Sequence, residues 1–160
     1  MMMSPDSIDL TIPAKPEFVG VVRLTTSGVA NRLGYSYEDI EDIKIAVSEA
    51  CTNACNHAYQ ANEDGKISIR IDSYDDRIEI IVGDRGKSFN FQDKIGNLQP
   101  IDPNMSLEKI NEGGLGLFLI ETLMDKVTIS GDSGVIVAMT KFLRRDEVDN
   151  NARKVSTSTE

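Results

Sequence analysis

The chain has 160 residues, enough for one domain with a real buried core, and its 40% hydrophobic and 27% charged content is ordinary for a globular protein. A formal charge of −9 argues against a general nucleic-acid surface, which needs an excess of Lys and Arg, and suits a partner with a basic patch. No window is apolar for long enough to span a membrane, and the opening Met1-Met2-Met3-Ser4-Pro5-Asp6 lacks the basic-then-apolar pattern of a secretory signal.

In chain order, Ser7 to Pro13 alternates Ile8, Leu10 and Ile12 with polar residues, which predicts an edge strand ended by Pro13. Phe18, Val21, Val22, Val29, Ala30 and Leu33 fit a helical face over 16–33, weakened by Gly20 and Gly28 and stopped at Gly34. Ser36 is a candidate N-cap for a stronger helix, with Glu38, Asp39, Glu41 and Asp42 where negative charge suits the helix dipole. Its apolar positions run from Ile40 to Ala58, and it should end near Tyr59. Two alternating strands, Ile67-Ile69-Ile71 and Ile78-Ile80-Val82, flank an Asp75-Asp76 turn and predict a hairpin.

From Gly86 to Gly113 the pattern dissolves into a long segment with two prolines. A loop of that length inside a compact domain is functional or disordered. A short helix over 115–124 and two strands, 126–130 and 135–143, follow around an Asp132-Ser133-Gly134 turn, and a polar tail closes the chain. Helices and hairpins segregate, which predicts an α+β two-layer sandwich, a mixed sheet covered on one face by helices. The expected organisation is a single domain over 1–145 and a polar tail over 146–160. Cys51 and Cys55, one helical turn apart, read as small buried side chains in a reducing cytoplasm, with too few companions for a zinc site.

Three constellations carry chemistry. Glu49, Asn53 and His57 fall at i, i+4 and i+8 and form a polar stripe among small neighbours, Ala46, Ala50, Ala54 and Ala58, that leave room for a ligand. A solvated polar ridge would give the same spacing. Asp84-Arg85-Gly86 sets a carboxylate at a strand end, followed by a glycine that leaves space for a planar ring; a plain turn is the alternative. Gly113-Gly114-Leu115-Gly116-Leu117 enters a helix, where free backbone N–H groups can wrap phosphate oxygens, although a hinge would have the same composition. It matches neither the Walker pattern nor the dinucleotide fingerprint.

Taken together, the order and spacing of the three resemble the ATP-binding family shared by DNA gyrase, histidine kinases and bacterial anti-sigma kinases. Glu49-x-x-x-Asn53 resembles its N box, Asp84-x-Gly86 its first glycine box and Gly114-x-Gly116 its second, with an ATP lid at about 89–112. The resemblance spans roughly 6–143 and is closest to the anti-sigma-B serine kinases, through the segments 49–59 and 113–120. Ser88 stands where a second glycine is usual, and Val135 and Ile136 where many members carry a threonine near the adenine.

The resemblance implies a histidine-kinase-like ATPase fold and a cytoplasmic serine-protein kinase. Such a protein binds ATP and Mg²⁺, sequesters a stress-response sigma factor and phosphorylates a serine of an anti-sigma antagonist protein. A nucleotide-holding anti-sigma module without transfer is the alternative. It also implies a homodimer and no direct nucleic-acid or membrane contact. Glu49 would be the catalytic base and Asn53 the Mg²⁺ ligand. Asp84 would read adenine beside Gly86, and Gly114, Leu115, Gly116 and Leu117 would line the phosphates. His57 takes a supporting or packing place.

Overall fold

A computed structural model describes residues 4–60, 65–85, 99–100, 114–130 and 136–144. Strand β1 (Asp6–Pro13) leads through a 3-10 turn at Pro16–Phe18 into helix α1 (Val19–Leu33) and then α2 (Tyr37–Gln60). The hairpin β2 (Lys66–Ser73) and β3 (Arg77–Arg85) follows. Then come the two-residue β4 (Gln99–Pro100), helix α3 (Gly114–Leu123), β5 (Lys126–Ser130) and β6 (Ile136–Phe142).

The local signals act as their chemistry requires. Gly34 takes the left-handed conformation, φ 98°, that closes α1. The Ser36 hydroxyl accepts the Asp39 N–H at 3.1 Å and caps α2. Gly20 and Gly28 leave α1 unbroken.

The sheet order is β1-β2-β3-β6-β5-β4, and every described pairing is antiparallel. The sheet is therefore antiparallel where the sequence suggested a mixed one. Each strand meets a neighbour running the opposite way, so no parallel crossover is needed. β4 pairs with β5 inside the segment expected to lack regular structure.

Register explains the core. Ile8, Ile71, Ile80, Met139 and Val127 face one another across five strands, as do Leu10, Ile69, Val82, Val137 and Ile129. These rows lie on one face, because strand side chains alternate. The opposite face carries Ser68, Arg70, Asp72 and Glu79, with Asp72 accepting from Ser7 and Arg70. The helices cover the apolar face, and α2 lies close to it through buried Ala46, Val47, Ala50, Cys51 and Ala54.

Tyr35 fastens the layers together. Its buried hydroxyl accepts the Ile78 N–H at 3.0 Å and donates to the Lys141 carbonyl, joining the α1–α2 junction to β3 and β6. Burial, first of several causes, holds that hydroxyl far above its ordinary pKa. The Lys141 ammonium in turn donates to the Leu123 carbonyl at 2.7 Å, with Asp39 and Asp42 beside it at 3.7 and 3.9 Å. A cation there suits the C-terminus of α3 and ties it to the start of α2.

Candidate functional site

Glu49 and Asn53 project from α2 as a half-buried pair one turn apart, beside the small residues that seat the helix on the sheet. Gly116, in the first turn of α3, lies directly over them. A Cβ built at Gly116 would stand 3.1 Å from Glu49 Oε2, 3.1 Å from Asn53 Nδ2 and 3.5 Å from Asn53 Oδ1. A side chain there would need both polar groups to shift by a few tenths of an ångström. This is the contact between the two halves of the site, made by residues more than sixty positions apart in the sequence.

Gly114, Leu115, Gly116 and Leu117 are the first four residues of α3, the positions whose N–H groups have no partner within the helix. The end of α3 that can hold phosphate oxygens therefore sits against the Glu49–Asn53 pair. Leu117 is half-buried and packs on the hydrophobic core, which anchors this turn. Lys141 fixes the other end of the helix.

Asp84 lies at the end of its strand, as its sequence setting suggests. β3 closes at Arg85, and Asp84 lies opposite Ile67 and is only 5% exposed. By alternation it follows Ile78, Ile80 and Val82 on the helix-covered face. A carboxylate in an apolar row is unfavourable unless something polar engages it. Asp84 stands where the sequence pattern would otherwise place another Ile or Val. Ile136 pairs with Gly83, one residue away in β3.

The cysteines read from the sequence as buried are so. Cys51 and Cys55 are both buried and free, and burial, reinforced by Cys55, pushes the Cys51 thiol up to about 12. Gly86, Gly113, the His57 side chain, residues 89–98 and 101–112 of the lid and the 146–160 tail lie outside the described residues. Among the described residues no group of three or more His, Cys, Asp or Glu gathers to hold a metal. The Asn53 amide and Glu49 carboxylate nonetheless offer hard oxygen atoms beside the first turn of α3. Those donors fit a Mg²⁺ that keeps most of its shell from water and phosphate. No described helix is long and apolar enough to cross a membrane.

An antiparallel sheet roofed by helices, with a carboxylate–amide pair under a glycine-started helix, defines a nucleotide-binding α+β domain. The histidine kinase-like ATPase domain family matches residues 12–141. Serine-protein kinase RsbW of Halalkalibacterium halodurans is 59% identical over 152 residues, covering 95% of this chain and 93% of that protein. Serine-protein kinase RsbW of Bacillus subtilis is 52% identical over 151 residues, 94% of each chain. The fold is also that of the RsbU and RsbW domains of a Mycobacterium tuberculosis protein. That structure matches with a TM-score of 0.60 and 22% identity, over 87% of this chain and 33% of that one. The chain belongs to the RsbW family of serine-protein kinases and is an ATP-dependent serine kinase.

Proposed function

We propose that Glu49, Asn53, Asp84, Gly86 and the turn from Gly114 to Leu117 form a Mg-ATP site. From it the γ-phosphate passes to a serine of an anti-sigma antagonist protein. The observation that supports this reading is the close approach of Gly116 to both Glu49 and Asn53, which brings the N-terminal turn of α3, with its free N–H groups, up to an acid and an amide. The kinase domain spans 1–145 with a lid over 89–112, and 146–160 is a polar tail. The same chain holds an alternative sigma factor, works as a homodimer and acts in the cytoplasm, where its two free buried thiols suit a reducing medium.

Phosphoryl transfer asks the protein chiefly to position reactants and neutralise charge. Glu49 accepts the proton of the incoming serine hydroxyl as its oxygen bonds to the γ-phosphorus. The bond from that phosphorus to the β-bridging oxygen breaks, and ADP leaves. Asn53 supplies the protein oxygen for Mg²⁺, which when bound offsets charge on the phosphates. The N–H groups opening α3 hold phosphate oxygens, and the Asp84 carboxylate accepts from the exocyclic amine of adenine.

The test is incubation with γ-labelled ATP, Mg²⁺ and the purified antagonist. Label on a partner serine, lost on chelation of Mg²⁺, is the expected result. Free phosphate alone, or no turnover with nucleotide still bound, would overturn the kinase assignment of this site.

A further inference from the structure

Val137, Met139 and Lys141 alternate along β6 on the helix-covered face, so a lysine takes the place of the next apolar residue. Its side chain is only 13% exposed. Burying an ammonium is costly unless it is paired and hydrogen-bonded. The partners come from two helices. The Leu123 carbonyl, at the end of α3, accepts from Nζ at 2.7 Å, and the Asp39 and Asp42 carboxylates near the start of α2 stand 3.7 and 3.9 Å away. Asp125, just past α3, adds two bonds to the same strand. Its N–H donates to the Thr140 carbonyl at 2.9 Å, and its carboxylate accepts the Phe142 N–H at 2.7 Å. Of these ties, the one through Lys141 alone also reaches α2.

What this tie holds is set at the other end of the helix. Leu123 follows Gly116 by about two turns, so the two positions share one side of α3. At Gly116 the fit to α2 is close, with a Cβ there only 3.1 Å from Glu49 Oε2 and from Asn53 Nδ2. Leu117, Ile120 and Met124 hold α3 to the core, but apolar contact is non-directional and resists sliding along the helix axis only weakly. A hydrogen bond to the last-turn carbonyl, itself anchored on α2 by two carboxylates, is directional. We propose that Lys141 is a positioning residue for phosphate binding. By tying the end of α3 to the start of α2, it sets where the free N–H groups of the first turn of α3 stand over Glu49 and Asn53. The proposal rests on the Mg-ATP reading above. It also confines the effect to the phosphates, because Asp84, assigned there to adenine, lies on β3 and not on α3.

Calorimetric titration of the full chain with ATP and Mg²⁺, and separately with adenosine, tests it on the native protein, Lys141→Met, and the double variant Asp39→Asn with Asp42→Asn. Lys141→Met should bind ATP about tenfold or more weakly, since small misplacements at a site are costly, while adenosine binds as in the native protein. The double variant keeps the cation and its bond to Leu123, folds if Lys141→Met does not, and should show a smaller loss of the same kind. Tyr35→Phe loosens the same layers without touching the ammonium, and should keep native affinity for both ligands. ATP affinity unchanged in Lys141→Met and in the double variant overturns the positioning role. So does a loss shared equally by ATP and adenosine, or the same ATP-only loss in Tyr35→Phe. A native protein that binds ATP no better than adenosine overturns instead the phosphate-holding turn on which the proposal rests.

Discussion

Gly116 is the residue at which backbone geometry and chemistry meet. Alanine there would favour the helix by about 1 kcal/mol on propensity alone. Its Cβ would nevertheless stand 3.1 Å from both polar side chains of α2, tighter than nine in ten real Cβ contacts, so both would have to give way. Gly116→Ala is therefore expected to melt within a few degrees of the native protein yet lose most phosphate transfer, read by a thermal melt beside a label-transfer assay. Unchanged transfer would show that Glu49 and Asn53 need no such seat. Cys51 gives a pH signature. Its thiol is raised by burial from an ordinary 9.0 to about 12, so the folded state keeps a proton that the unfolded state releases. The stability this contributes is complete below about pH 9 and is lost as pH rises toward 12. Native melts over that range should fall more steeply than those of Cys51→Ala, and parallel curves would remove the thiol from the account. Asp84→Ala should cost selectivity for adenine, measured as the ratio of ATP to GTP affinity, and an unchanged ratio would contradict its role.

At the scale of elements, Tyr35 and Lys141 tie the helices to the sheet. Tyr35→Phe removes the hydroxyl that both accepts from Ile78 and donates to Lys141, leaving a buried N–H and a buried carbonyl short of partners. About 1–3 kcal/mol of stability should be lost, seen as a lower denaturant midpoint with an unchanged slope. Individual elements were legible where the signal is local. The Ser36 cap, the Gly34 stop and the isoleucine alternation of β2 and β3 each depend on neighbouring residues, and each stands where the sequence puts it. The polar stripe of Glu49 and Asn53 was legible for the same reason, because one helical period generates it. What depends on distant pairing was not. The antiparallel β3–β6 register, the burial of Asp84 within an apolar row and the seat of Gly116 on α2 join segments that no local pattern connects. Asp84 reads as a strand end because a carboxylate usually ends an apolar run, and the sheet register adds that it lies opposite Ile67 and is buried.

For the whole molecule, the fold reduces to an apolar sheet face roofed by helices, with the proposed nucleotide site where α2 and the opening turn of α3 meet. Its sequence closeness to serine-protein kinases of the RsbW family spans nearly the full chain. The central claim is that Glu49 does chemistry rather than nucleotide binding. It is tested most directly by measuring, on one preparation of Glu49→Gln, both ATP affinity and the rate of label transfer from ATP to the antagonist serine. Affinity within a few-fold of native and transfer reduced by about a hundredfold or more is the predicted result. Transfer at the native rate would contradict it.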